Sequence, residues 1–321
     1  MPPGVVPIGV WLQDPKNAAR FLAAGINLYV GLWQGPTEGQ LAALAQAKMP
    51  VICEQNAVGL AHLTDPIIAG WMHGDEPDNA QSLPGGKGYG PPVDPDRILA
   101  DYRRIKAADP GRPVVLNLGQ GVAWDGWYGR GIRTNHPEDY PDYARGCDIA
   151  SFDIYPAVHD HPDVRGKLWL VAEGVRRLAG WAPGKPVWNC LEASRISNRA
   201  VKPTAAQVRY EAWSALIAGS RGLVYFVHQF EPRFVEASLL EDPALLAGVT
   251  ALNREIQSLA PAVLAPAIEG EAGGASSDPR APILFTHRRA EGADYLFVCT
   301  LRDQPARASF GLSGHGKRAR V

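Results

Sequence analysis

Cysteine is scarce. The four in 321 residues, Cys53, Cys147, Cys190 and Cys299, show no CxxC and no His-paired spacing, so the sequence carries neither a zinc ribbon nor a disulfide framework. They read as buried free thiols. No stretch of about 18 apolar residues exists, which leaves no candidate for a membrane-spanning helix. An excess of one charge is missing too: 32 basic residues face 33 acidic ones, for a formal net charge of −1. That balance speaks against a nucleic-acid surface or a polybasic membrane patch and points to a small or neutral partner. The start, MPPGVVPIGVW, lacks the basic region and long apolar core of a secretory signal. The compartment is left open: secreted or periplasmic if a signal has been removed, cytoplasmic otherwise.

Apolar residues make up 46% of the chain and charged residues 20%, ample material for one large core. The length suits a single α/β barrel, typically about 250 residues, with a small addition. Apolar strand-like runs recur at 5–13, 26–34, 50–56, from 67, 113–121, 148–158, 186–194 and 223–231. Between them lie helix patterns with capping Asp or Thr and early Pro, such as DRILADYRRIKAADPG, TAAQVRYEAWSALIAGSRG and the run from Asp242 to Leu259. Eight alternating units predict a parallel sheet closed into a (β/α)8 TIM barrel over residues 1–264. A doubly wound open sheet is the alternative, but its Gly-rich first turn is absent, since the first strand ends in WLQDP. From residue 265 onward the helical period stops, and ILFTHRR and DYLFVCTLRD predict a small β appendage over 265–321. The chain closes at Arg320 and Val321 inside what reads as a further strand, as if the appendage were cut short.

In such a barrel the reactive groups sit at the C-terminal ends of the strands. That rule collects Gln13 and Asp14, Trp33, Glu54, the cluster His73, Asp75 and Glu76, then Asn117, Asp153 and Tyr155, Glu192, and finally Tyr225 and His228. Glu76 closes the fourth strand in IIAGWMHGDEP and Glu192 closes the seventh in VWNCLEAS. Two carboxyl groups facing across a mouth suit glycosidic bond cleavage, in which one protonates the leaving oxygen while the other attacks or screens the anomeric carbon. Each has a plainer alternative: Glu76 as a helix cap, Glu192 paired with Arg195 or Arg199. Asp153 could bond backbone or substrate, and His73 and His228 could touch substrate or only support the site. Trp11, Trp33, Trp124 and Trp127, near strand C-termini, are candidate sugar platforms; Trp169, Trp181 and Trp213 lie on helix patterns and read as core.

Other barrel chemistries lack their residues. No strand carries the lysine of a Schiff-base aldolase, no Gly-rich turn follows strands seven or eight, and no HxH on strand one accompanies a metal set such as His73, Asp75 and His228. Over residues 5–260 the sequence resembles the clan of retaining glycoside hydrolases built on a (β/α)8 barrel, with its acid/base on strand four and its nucleophile on strand seven. The resemblance implies Glu76 as acid/base in Asp75-Glu76-Pro77, where the clan usually has Asn before Glu, and Glu192 as nucleophile. It also implies that Tyr155 bonds the nucleophile, that Asp75 meets the sugar's 2-hydroxyl and that Tyr225 or Phe226 forms an aromatic platform. With the strand-end residues His73, Trp11, Trp33, Trp124, Asn117, Asp153 and His228, these are expected to contact an oligo- or polysaccharide or other glycoside, with no cofactor or metal. Asp75 in place of Asn leaves a second expectation, a degenerate barrel that binds carbohydrate without turnover.

Overall fold

The computed structural model describes residues 4–313. Strands β1 (Ile8–Trp11), β2 (Leu28–Val30), β3 (Val51–Cys53), β4 (Ile68–Met72), β5 (Val114–Leu118), β6 (Ile149–Asp153), β7 (Val187–Glu192) and β8 (Gly222–Phe226) form a closed parallel barrel in sequence order, with β8 pairing back onto β1. The helices α1 (Ala18–Ala23), α2 (Glu38–Ala47), α3 (Ala57–Ala61), α4 (Pro95–Ala108), α5 (Tyr140–Ala144), α6 (Leu170–Trp181), α7 (Ala205–Ala218), α8 (Pro243–Ser258) and α9 (Ala260–Leu264) alternate with the strands or follow the last of them. The predicted TIM barrel is therefore present. Each strand is shorter than its apolar run, because the residues beyond each C-terminus leave the ladder to build the mouth.

Strand alternation separates two cores. Trp188 and Cys190 of β7 point inward and pack with Trp11, Val30, Met72 and Val224 to fill the barrel, whereas Val187 and Leu191 face the helices. Gly222 is fixed by that filling. A Cβ there would stand 2.6 Å from the Trp188 ring, so the start of β8 tolerates no side chain. Trp169, Trp181 and Trp213 pack against the outer core, as their helical spacing predicts.

Thr204 starts α7 with a capping box, its hydroxyl accepting from the Gln207 amide while the Gln207 side chain accepts from the Thr204 amide. Thr204→Ala should cost about 1 kcal/mol, read as a lower urea midpoint at unchanged slope. The helix stops at Gly219, whose φ of 115° only glycine adopts readily.

After α9 come two antiparallel pairs, β10 (Ile283–Ala290) with β11 (Ala293–Thr300), and β9 (Ala272–Ser276) with β12 (Ala308–Leu312). The β10–β11 pair rests on α7: Trp213 stacks on Phe297 at 5.6 Å, and the Tyr210 hydroxyl donates to the Thr300 carbonyl at 2.6 Å. Arg288, only 2% exposed, donates to the Leu216 carbonyl and the Val263 carbonyl, satisfying helix-end acceptors that burial would otherwise strand. The further strand expected at Arg320 and Val321 lies outside the described residues.

Candidate active site

The mouth at the C-terminal ends of the strands holds a cavity of about 780 Å³. Asp75, Glu76, Asp153 and Glu236 supply its carboxyl groups, and Trp11, Trp33, Trp127, Phe226, Phe230 and Phe234 much of its wall. Leu12, Gln34, Glu76 and Ile196, which follow β1, β2, β4 and β7, all have φ between 43° and 52°. Non-glycine residues avoid that region, and four of them around one rim mark a face where side-chain aim outweighs backbone comfort.

Glu76 shows how the chain aims a carboxyl group. Its amide donates to the Asn117 carbonyl at 3.1 Å, and its own carbonyl accepts from Asn79 at 3.0 Å. Two residues on, Asp78 is fully buried and accepts from the Gly119 amide at 2.9 Å and the Tyr140 hydroxyl at 3.0 Å, which anchors the turn to β5. Gly119 leaves room for the acid. A Cβ there would lie 3.0 Å from Glu76 Oε1 and 2.9 Å from the Asn79 amide group.

The carboxyl groups of Glu76 and Asp153 are neighbours on the cavity wall. Burial pushes the Glu76 carboxyl up to about 7, and repulsion from Asp75 adds to the rise. Asp153 is held well above the usual carboxylate range, first by burial and then by the charges of Glu76 and Asp75, while the nearby Tyr155 hydroxyl pulls the other way. Two carboxyl groups so close cannot both ionise easily, so the pair keeps a proton near neutrality. Asp75, open to the cavity but packed round by protein, is pushed up to about 6, chiefly by desolvation. Its Oδ1 accepts from Asn117 Nδ2 at 2.9 Å, and Ser151 Oγ donates to Asn117 Oδ1 at 2.9 Å, so a polar chain runs under the site from β4 through β5 to β6.

Several residues predicted for the site stand elsewhere. Glu192 is fully buried and absent from the cavity wall; its Oε1 accepts from the Ala157 amide at 2.6 Å, and its carboxyl group meets that of Glu211 on α7. Neither Arg195 nor Arg199 pairs with it: Arg199 bonds Glu231, and Arg195 bonds the Arg199 carbonyl. Tyr155 is on the wall, its ring 5.4 Å from that of Phe226 and its hydroxyl near Asp153 rather than Glu192. His73 is buried with Nε2 at 2.7 Å from the Gly146 carbonyl, a support between strands that touches no cavity. Tyr225 faces the helices, where its hydroxyl donates to Asn253 at 2.8 Å, and its neighbour Phe226 takes the wall position because strand side chains alternate. Trp124 packs among Trp127, Tyr128 and His161 behind the wall, while Trp127 lines it and donates to Asn79 Oδ1 at 2.8 Å. Asn117 acts beneath Asp75 rather than at the surface. Trp11, Trp33, Asp75, Glu76, Asp153 and His228 do line the cavity.

Sequence reasoning missed Gln120, Phe230, Phe234 and Glu236, all on loops. His228 stacks against Phe230 at 6.2 Å and Phe234 at 6.1 Å, and Phe226 adds a third phenylalanine to this side of the mouth. The signal was present as three aromatics and an acid in FVHQFEPRFVE, but without strand periodicity it could not be aimed. Among the described residues no group of three His, Cys, Asp or Glu is arranged to hold a metal ion, and no helix is long and apolar enough to cross a membrane.

No protein-family model matches the chain, and a search of curated proteins finds no match. Solved structures do resemble it. A β-galactosidase from the Antarctic haloarchaeon Halorubrum lacusprofundi aligns over 80% of this chain and 59% of its own, with a TM-score of 0.55 at 13% identity. The endo-1,4-β-mannanase of Rhizomucor miehei aligns over 79% of this chain and 95% of its own, with a TM-score of 0.53 at 12% identity. A GH2 β-galacturonidase from Eisenbergiella tayi, bound to galacturonate, gives a TM-score of 0.51 at 16% identity over 78% of this chain. The chain spans about half the length of that galacturonidase. At these identities the likeness is one of fold.

Proposed function

We propose that the protein is a glycoside hydrolase in which Glu76 protonates the leaving oxygen. The observation that carries this reading is the neighbouring carboxyl groups of Glu76 and Asp153 inside an aromatic-walled cleft, where burial and proximity favour a retained proton near neutrality. A glycosidic oxygen is a poor leaving group until it is protonated, and an acid kept neutral by burial and a like-charged neighbour can supply that proton at ordinary pH. Indole and phenyl faces around it suit the CH faces of sugar rings. The fold neighbours include a galactosidase, a mannanase and a galacturonidase, all of which act on sugars by their names.

The retaining double displacement implied by the resemblance needs a second carboxylate at the anomeric carbon, about 5–5.5 Å from the acid. For Glu192 to play that part, its carboxyl would have to leave the Ala157 amide and Glu211 and enter the cavity, losing bonds that its burial makes expensive. The reading therefore keeps Glu76 and draws its partner from the carboxylates on the wall.

A panel of aryl glycosides and β-linked polysaccharides tests the activity. Turnover of at least one member is expected, with release of reducing ends. Binding of oligosaccharides by calorimetry with no turnover on any member would replace the enzyme by a carbohydrate-binding barrel. Trp33, 68% exposed on the rim, should act mainly in binding. Trp33→Ala is expected to raise KM about tenfold with kcat changed little, the size of one lost stacking platform.

A further inference from the structure

We infer that Glu236 is the second catalytic carboxylate: the general base that activates water on the face of the sugar opposite Glu76, so that hydrolysis inverts the anomeric configuration. The inference rests on the glycosidase reading above and adds the residue and the stereochemistry that it leaves open.

Four carboxyl groups line the cavity. Glu76 and Asp153 are neighbours on the wall, and Asp75 adjoins Glu76 in the chain and is tied to Asn117, so three of the four occupy one side of the mouth. Glu236 comes from the segment after β8. In a ring of eight strands taken in order, β8 stands opposite β4, so Glu236 and Glu76 enter from opposed walls. A pair on opposed walls is the arrangement an inverting hydrolase uses, with about 6.5–9.5 Å between carboxyl groups to hold a water beside the sugar.

The fold invests in holding Glu236 there. Its Oε1 accepts from the Asp14 amide at 2.8 Å, and its backbone carbonyl accepts from Gln13 Nε2 at 2.9 Å. Gln13 is 1% exposed and its Nε2 also lies 3.2 Å from His228 Nε2, so a buried amide at the end of β1 clamps the loop that carries the acid. Half-buried on the wall, the side chain remains reachable from the cavity.

The step balances without a co-reactant. Glu236 takes a proton from water as the water oxygen bonds to the anomeric carbon. The bond from that carbon to the glycosidic oxygen breaks, and the leaving oxygen takes the proton of Glu76. Glu236 then returns its proton to solvent and Glu76 regains one.

The test uses the full chain and whichever glycoside of the panel it turns over best. Glu236→Gln should fold with an unchanged melting temperature and lose 10²-fold or more in kcat with little change in KM. Azide should restore cleavage to Glu236→Ala, giving a glycosyl azide of inverted configuration, and the first product of the wild-type enzyme, followed by NMR, should be the inverted anomer. A Glu236→Gln variant that keeps full turnover, or a wild-type product of retained configuration, overturns the inference while leaving the glycosidase reading standing. A wild-type chain that turns over nothing in the panel overturns both.

Discussion

Glu76→Gln is expected to lower kcat about 10²–10⁴-fold on glycosides with poor leaving groups, such as alkyl glycosides and oligosaccharides, and far less on dinitrophenyl glycosides. The asymmetry follows from the role. An alkoxide leaving group needs the proton that glutamine cannot give, whereas a dinitrophenolate departs without it. The pH profile supplies a second reading. Because the Glu76 carboxyl is pushed up to about 7 and must be protonated to act, wild-type activity should fall as pH rises through about 7, and that alkaline limb should vanish in Glu76→Gln. Asp75→Asn should move the limb to lower pH, since the Asp75 charge is the second cause of the rise after burial. Equal loss on both substrate types, or an alkaline limb that survives in Glu76→Gln, would remove Glu76 from the acid's place.

The shift attributed to Asp75 also bears on the departure from the Asn-Glu-Pro pattern. With Asp75 Oδ1 bonded to Asn117 Nδ2, the residue before the acid accepts from the protein rather than donating to a sugar. Its charge then serves as an electrostatic neighbour that keeps the acid protonated. An asparagine at the same place would offer substrate a donor but would leave the rise to burial and the charge of Asp78.

What the sequence made legible is what periodicity encodes. Strands such as Val114–Leu118 and helices such as Pro243–Ser258 follow from runs of apolar residues, caps and prolines, and their alternation specifies the barrel and hence which strand ends meet. The same rule found Glu76 and Asp153, because Asp153 ends β6 and Glu76 lies in the loop just after β4, both at the mouth. It misassigned Tyr225 because one step along a strand reverses the side chain, and the choice between Tyr225 and Phe226 depends on register, which the sequence leaves open. Glu192 sits at the last residue of β7, where its aim depends on the Ala157 amide and on Glu211 arriving from α7, contacts set only by tertiary packing. Glu236 lies eight residues beyond His228 in the chain yet lines the same cavity, because the loop folds back across the mouth, and loops carry no period from which to read that return.

The pair formed by Glu192 and Glu211 gives the largest expected effect on stability. Both residues are fully buried, and among the described residues Glu192 Oε2 and both carboxylate oxygens of Glu211 find no donor, a state two buried anions could not hold. One shared proton resolves it: burial pushes Glu192 up to about 7 and holds Glu211 well above the usual range, with mutual repulsion adding to the latter. A folded-state value raised above the ordinary 4.5 means that the native protein binds the proton more tightly than the unfolded chain, so stability is highest at acid pH and is lost as pH rises from about 4.5 to about 7. For Glu192 alone the loss amounts to about 3 kcal/mol. Glu211→Gln places an amide donor against the Glu192 carboxylate, so urea unfolding from pH 5 to 8 should show a flatter pH dependence than wild type and greater stability than wild type at pH 8. Parallel curves for the two proteins would refute the shared proton. The same geometry makes Glu192→Gln a test of catalysis: a protein that keeps the melting temperature and most of the turnover confirms a structural carboxyl group, whereas a folded variant without turnover would restore the nucleophile to strand seven.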